Sequence, residues 1–206
     1  MKLENHVIKS LEAHSRGDAE EALLHACFSI DGTARKLSGK SKAGKSAYKN
    51  CIRQYWWLIE LFIGPGINLE ETRWTHISLD DGHGKIIKEP DLADIIYHIF
   101  RCSHAHAEEV PLTFTVLPSQ QRILRWMIGI EDKSVHMPDT VIFALLAVSV
   151  FSKVNVDIVS AGDLSLTWGN QTGYFIFPVK ESWGREDEVK LLLAGKNMTR
   201  VKLNGL

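Results

Sequence analysis

The stretch that most constrains how this chain can fold is residues 91–109, DLADIIYHIFRCSHAHAEE. Its apolar side chains recur in steps of three and four, which is the spacing of one side of an α-helix. Pro90 suits the first position of such a helix, because its missing N–H would have no partner there. The pattern predicts an amphipathic helix whose apolar side faces a core. The residues on that side are Leu92, Ile95, Ile96, Ile99, Phe100 and Ser103.

The end of this predicted helix carries the densest cluster of reactive side chains in the sequence. At about 100° per residue, Arg101 shares a side of the helix with Asp94 and His98, whereas His106 lies roughly 140° from it. Arg101 and His106 can therefore meet only if the helix loosens after Arg101 or if two chains associate symmetrically. The members of the cluster are Arg101, Cys102, His104 and His106.

Two segments carry a resemblance to a known family. The segment Arg101–His106 resembles the Arg-x4-6-His motif of HEPN domains, and IIYHIFRCSHAHAEEVP around it is similar to the RC-x-x-x-H-E stretch of several uncharacterised HEPN-like families. Residues 22–37, ALLHACFSIDGTARKL, resemble the first long helix of those families, where an ID-x-x-A pattern recurs. The resemblance covers roughly residues 18–152 and implies a small helical bundle.

The resemblance implies a metal-independent endoribonuclease that acts at a dimer interface and leaves a 2′,3′-cyclic phosphate. Imidazole, with a pKa near 6.5, suits proton transfer, and guanidinium binds phosphate oxygens in a fork. His106 is then the proton-transfer residue, Arg101 stabilises the phosphate, and His104 assists. The implied partners are RNA, a second copy of the chain and a cognate antitoxin, with no cofactor. The supporting residues are Asp31, Cys102 and His98.

A non-catalytic HEPN-like binding or dimerisation module is the alternative interpretation. Active family members often have a polar residue after the arginine, and here that residue is Cys102. In this interpretation Arg101 forms an ion pair with Asp31 or Asp94. A third hypothesis is a zinc site, because His98 and Cys102 are four residues apart and two histidines follow. That site would require the helix to end near Cys102.

Residues 38–46, SGKSKAGKS, contain a literal phosphate-loop string from Gly39 to Ser46. A true phosphate loop follows a buried strand, so that backbone N–H groups surround the phosphate. The preceding segment ARKLS is typical of the polar end of a helix. The pattern therefore favours a cationic link between two helices over a phosphate loop. The link offers point charges for RNA phosphates. These candidates are Lys40, Lys42 and Lys45.

Charge and composition limit the remaining classes. The chain has 206 residues and a net charge of −1, so any contact with nucleic acid must be local. Its three cysteines lack CxxC spacing, which is typical of reduced thiols. No signal-like apolar segment begins the chain, and its most apolar run, residues 141–150, is too short for a membrane span of about 20 residues. We therefore expect a cytoplasmic protein without a membrane segment.

The fold expected from these patterns is mainly α, a HEPN-like helical bundle over residues 1–153 with a small β-containing appendage packed on it over 154–206. Helices are predicted at 2–15, 18–37, 47–62, 91–109, 138–150 and 186–194. A β-segment is predicted at 111–117, a short helix or strand at 120–130, and a hairpin from 164–168 and 174–179. Asp18 and Glu21 mark a helix start, and Gly32 predicts a close helix crossing. The aromatic run at 55–57 is expected in the core or at a dimer face.

Overall fold

The computed structural model describes residues 1–64, 66–75, 77–80, 84–105, 114–117, 129–131, 134–170 and 173–194. At some of these positions, among them 100–105, the backbone path alone is described. The described chain is mainly helical, as predicted, and carries small β-sheets. The helices are α1 Leu3–Ser15, α2 Ala19–Ser38, α3 Lys45–Gln54, α4 Trp56–Ile63, α5 Leu92–Ala105, α6 Thr140–Phe151, α7 Val179–Ser182 and α8 Glu186–Ala194.

The strands form three sheets within the described residues. Strands β1 (Ser78–Asp80) and β2 (Ile86–Lys88) are antiparallel and lie in a region that the sequence pattern left irregular. Strand β5 (Ser134–Pro138) pairs in parallel with β3 (Phe114–Leu117) and antiparallel with β4 (Gly129–Glu131). Strands β6 (Ser165–Asn170) and β7 (Gly173–Pro178) form the predicted antiparallel hairpin.

Two local signals at α2 are confirmed by the structure. The Asp18 carboxylate accepts a hydrogen bond from the backbone N–H of Glu21 at 2.9 Å, which satisfies one of the free donors at the helix start. A Cβ added at Gly32 would lie 3.0 Å from Cδ1 of Leu3, so α1 crosses α2 where the glycine leaves room. The cost of a glycine inside a helix is thereby offset by close packing of the two helices.

Helix α6 forms the centre of the core and packs against α2 and α4. It has no polar side, because nearly all of its residues from Val141 to Phe151 are buried. Full burial of one leucine such as Leu145 contributes about 1.5–3 kcal/mol. Where α6 meets α2, the hydroxyls of Ser29 and Ser149 hydrogen bond to each other at 2.8 Å. No helix among the described residues combines the length and apolarity that crossing a lipid bilayer requires.

The predicted single helix at 47–62 is wrong in one respect, because the chain turns at Tyr55 (φ −111°, ψ 22°) and divides it into α3 and α4. Helix α3 keeps one polar side, whereas α4 is buried almost all round. The turn lets these two segments take different directions. Tyr55 and Trp56 are buried, so the prediction of core positions is confirmed for both.

The C-terminal elements share the hydrophobic core of the helices. The ring of Phe177 in β7 meets Phe151 of α6 edge to face at 5.0 Å between centroids. The hydroxyl of Tyr55 donates to the carboxylate of Glu186 at the start of α8, at 2.8 Å. The boundary proposed between residues 153 and 154 stays a prediction.

Candidate functional site

The start of α5 is built by two aspartates that cap each other. The backbone N–H of Asp94 donates to the Asp91 carboxylate at 2.8 Å, and the N–H of Asp91 donates to the Asp94 carboxylate at 3.3 Å. This is a reciprocal capping arrangement with aspartate in both roles. The helix begins at Leu92, so the prediction that Pro90 is its first residue is wrong. Asp91 takes the capping position instead, because it supplies the acceptor that the free N–H groups need.

The same two carboxylates bind the cations of α3. The Lys49 ammonium lies 2.5 Å from Oδ1 of Asp94, and the Arg53 guanidinium donates to Asp91 at 2.7 Å and to Asp94 at 3.2 Å. The side chains of Asp91, Asp94 and Lys49 are 7, 10 and 12% exposed, so these pairs are largely shielded from water. They join α3 to α5 through charges that are already matched.

The charges of this network shift the pKa of its members. Burial alone would raise the pKa of Asp94, but hydrogen bonding to Lys49 and the charge of that ammonium outweigh it, and the pKa lies below its ordinary value. Burial lowers the pKa of Arg53, but its hydrogen bond with Asp91 and the nearby carboxylates raise it above the ordinary value overall. Both groups are therefore held in their charged forms.

A pocket of about 410 Å³ opens beside this network, and we call it the cationic pocket. On α3 its cations recur every four residues, at Lys45, Lys49 and Arg53, so they lie on one side of that helix. The segment leading into and forming β2 contributes Lys85 and Lys88, and α5 contributes Asp94. Five positive charges and one negative charge thus line the pocket, a formal balance of +4. The remaining lining residues are Ile86 and Ile87.

Of the lysines predicted to contact RNA phosphates, the structure brings one into this pocket. Lys45 lines it, whereas Lys40 and Lys42 are exposed in the link between α2 and α3. Sequence reasoning missed the other four cations of the pocket. The four-residue spacing in KSAYKNCIRQ is a signal that could have identified the two on α3. The pair near β2 carries no such signal, because its position depends on how the hairpin folds.

The phosphate-loop string from Gly39 to Ser46 follows a helix. Helix α2 ends at Ser38, and Gly39 closes it in a left-handed conformation with φ 65°. Helix α3 begins at Lys45 after Gly44. A nucleotide-binding phosphate loop would need a strand in place of α2. The interpretation as a link between two helices is confirmed.

Two of the predicted catalytic residues, Arg101 and His104, lie at the far end of α5. The backbone of Arg101, Cys102 and His104 is helical, and the helix continues to Ala105. The side chains of these three residues, and His106 as a whole, lie outside the described residues. Whether Arg101 and His106 share a pocket therefore stays a prediction.

The other predicted supporting residues are described. Asp31 on α2 forms an ion pair with Arg35 one turn later, at 3.2 Å. Its predicted contact with Arg101 stays a prediction. His98 is half-buried on α5. Across the described part of the chain, no group of three or more His, Cys, Asp or Glu side chains could hold a metal ion, and the zinc candidates beyond His98 fall outside that part.

Comparison with known proteins places the chain in a family. The family model Rv1289 matches residues 2–205. The uncharacterized proteins Mb1320 of Mycobacterium bovis and MT1327 and Rv1289 of Mycobacterium tuberculosis are each 30% identical to it over 200 residues, which cover 97% of this chain and 90% of theirs. No solved structure matches the chain significantly. The chain belongs to the Rv1289 family.

Proposed function

We propose that this protein is a HEPN-like, metal-independent endoribonuclease that acts in the cytoplasm as a homodimer, with Arg101 and His106 in its active site. The observation that carries the proposal is the course of α5, which stays helical beyond Arg101 to Ala105. A backbone that stays helical from Arg101 to Ala105 favours a site that two chains share. A symmetric pair of chains is also what the HEPN resemblance implies.

Cleavage of RNA requires few groups beyond the imidazole of His106 and the guanidinium of Arg101. RNA carries its own nucleophile, the 2′-hydroxyl beside the scissile phosphate. Cleavage needs a base for that proton, an acid for the 5′-oxygen and positive charge for the crowded phosphate oxygens. His106 transfers the protons with His104 in support, and Arg101 binds the phosphate. A cognate antitoxin would act by covering this surface.

The first test is cleavage of single-stranded RNA in the presence of a chelator. We expect His106→Ala to abolish cleavage while the variant stays folded and dimeric, because the substitution removes the imidazole that transfers the protons. Arg101→Lys should retain the positive charge but lose most of the activity, because lysine cannot bind phosphate oxygens in the forked geometry of guanidinium. Equal rates for the wild type and His106→Ala would refute the proposal.

The second test asks whether one site uses two chains. Inactive Arg101→Ala and His106→Ala chains are unfolded together, refolded and assayed as a mixture. If Arg101 of one chain works with His106 of its partner, half of the dimers are mixed and one of their two sites is intact, so about a quarter of wild-type activity returns. No recovery, with mixed dimers shown by mass spectrometry, would place both residues in one chain.

A non-catalytic HEPN-like module is the second candidate, favoured by Cys102 after the arginine and by the net charge of −1. In that case the dimer forms but neither degrades nor binds RNA. Assays of RNA degradation and RNA binding, both negative at low salt, would support it. Binding without degradation would leave an RNA-binding module.

A further inference from the structure

We infer that the cationic pocket between α3, β2 and the start of α5 binds a phosphate group of a polynucleotide. The choice of ligand deepens the proposed function and rests on it, whereas the phosphate chemistry rests on the pocket alone. The pocket lies near the start of α5, whereas the backbone of Arg101 and His104 lies near its end. It would hold the RNA while the distant end of α5 acts on it.

The first argument is the excess of positive charge. The chain as a whole carries a net charge of −1, yet the lining of this one pocket has a formal balance of +4. Asp91 lies behind Arg53 and matches part of this charge. Like charges gathered this closely repel one another, and a bound anion relieves that repulsion.

The second argument is the rigidity of the two central cations. Lys49 and Arg53 are fixed by Asp94 and Asp91 before any ligand arrives, so binding loses little side-chain entropy. The Arg53 side chain remains 36% exposed and can present part of its planar fork to a phosphate. Lys88 is exposed at the rim and contributes a point charge.

The third argument is position and size. The backbone of position 101 lies seven residues after Asp94 on α5, roughly 10 Å further along the helix axis. A volume of about 410 Å³ falls within the range of about 300–1,000 Å³ that is usual for small-ligand sites. The pocket therefore suits one phosphate with its sugar, about two helical turns from the backbone of Arg101.

The test compares two double charge reversals. Lys85→Glu with Lys88→Glu changes the pocket. Lys2→Glu, just before α1, with Lys9→Glu on α1 makes the same change in net charge at exposed positions away from the pocket lining. The probe is a fluorescent single-stranded RNA with 2′-O-methyl groups, which lacks the attacking hydroxyl and stays intact whether or not the protein is a ribonuclease. We expect the pocket variant to bind about 10-fold more weakly than the control and to show a shallower salt dependence.

Competition separates the two sources of the phosphate. If AMP or inorganic phosphate displaces the RNA at low millimolar concentration, the pocket takes a terminal phosphate. If only longer RNA competes, it takes an internal phosphodiester. Equal affinity of both double variants, or no RNA binding by the wild type at 50 mM salt, would overturn the inference. Cleavage assays on unmodified RNA report on the proposed function separately, because a pocket that binds without cleavage leaves this inference standing.

Discussion

Two polar clusters connect the middle of this chain to later helices, and they differ in how their charges are matched. In the cationic pocket, five cationic side chains and one carboxylate line a site that opens to solvent. In the second cluster, the Glu186 carboxylate accepts from the Tyr55 hydroxyl at 2.8 Å, the Lys190 ammonium at 2.6 Å and the backbone N–H of Lys153 at 3.3 Å. The Tyr55 hydroxyl also contacts Ser152 at 2.7 Å.

The difference teaches which cluster supports the fold and which is available to a ligand. A buried carboxylate surrounded by its own donors has nothing left to bind, so it fixes the position of α8 against the core. A pocket lined by five cationic side chains and one carboxylate attracts an anion. We therefore expect changes in the Glu186 cluster to alter stability alone, and changes in the cationic pocket to alter RNA binding, with or without an effect on stability.

The largest effect should follow from Glu186→Ala. This residue is 6% exposed, and its loss removes the acceptor for three donors, so the free energy of unfolding should fall by about 2–3 kcal/mol. RNA binding should not change. Urea denaturation measures the free energy of unfolding, and fluorescence anisotropy measures RNA binding. Glu188→Ala on the same helix is the matched control, because its exposed ion pair with Arg185 is worth only about 0.5 kcal/mol. Equal losses for the two variants would remove the contrast between the clusters.

Asp94→Asn should separate stability from binding within the cationic pocket. The amide cannot neutralise Lys49 and Arg53, so the free energy of unfolding should fall by about 1–2 kcal/mol. The same change raises the positive charge of the pocket, so RNA affinity should rise about 3-fold or more at low salt. Asp163→Asn, at an exposed pair with Lys180, is the control and should alter neither. A joint fall in stability and affinity would mean that Asp94 contacts the ligand itself.

The fall in the free energy of unfolding at acid pH should reveal the contributions of Asp94 and Glu186. The pKa values of Asp94 and Glu186 lie below their ordinary values of 3.8 and 4.5. Burial by itself would raise both pKa values. Lys49 outweighs this effect for Asp94, and Lys190 and Tyr55 outweigh it for Glu186. The unfolded state therefore binds more protons, and stability that is present above these ordinary values is lost as the pH falls through the lowered ones. Urea denaturation from pH 5 to 3 should show a shallower slope for Asp94→Asn and Glu186→Gln than for the wild type. An unchanged slope in both variants would exclude these carboxylates as its source.

The smallest effects should come from single lysines. Lys190→Met removes an ion pair with Glu186 and a cation–π contact, 5.1 Å from the ammonium to the centre of the Trp57 ring. Because the lysine side chain is 47% exposed, the free energy of unfolding should fall by only about 0.5–1 kcal/mol, and RNA binding should be unchanged. Lys88→Met should do the reverse, with unchanged stability and RNA affinity lowered about 2- to 3-fold. Thermal unfolding and anisotropy on the two variants check both expectations. A loss of RNA affinity in Lys190→Met would show that matched charge also contributes to binding.

Local signals predicted much of the helical framework. The three- and four-residue spacing of apolar side chains anticipated α1, α2, α5, α6 and α8, and alternation around a turn anticipated the β6–β7 hairpin. The capping role of Asp18 and the crossing at Gly32 were also predictable. These features depend on residues within one or two turns of each other. The turn at Tyr55 was not predictable in this way, because its surroundings come from Ser152 and Glu186, far along the chain.

By itself, the sequence determined that this protein is mainly helical, where most helices begin and end, and which short motifs could carry chemistry. Only the tertiary structure decided that Lys49 and Arg53 meet Asp91 and Asp94 across about 40 positions of sequence, and that Lys85 and Lys88 complete a pocket beside them. The physical reason is how far apart in the sequence the interacting residues lie. Helical periodicity is a property of neighbours, whereas a charge cluster exists only once the core has packed and brought distant side chains within a few ångströms.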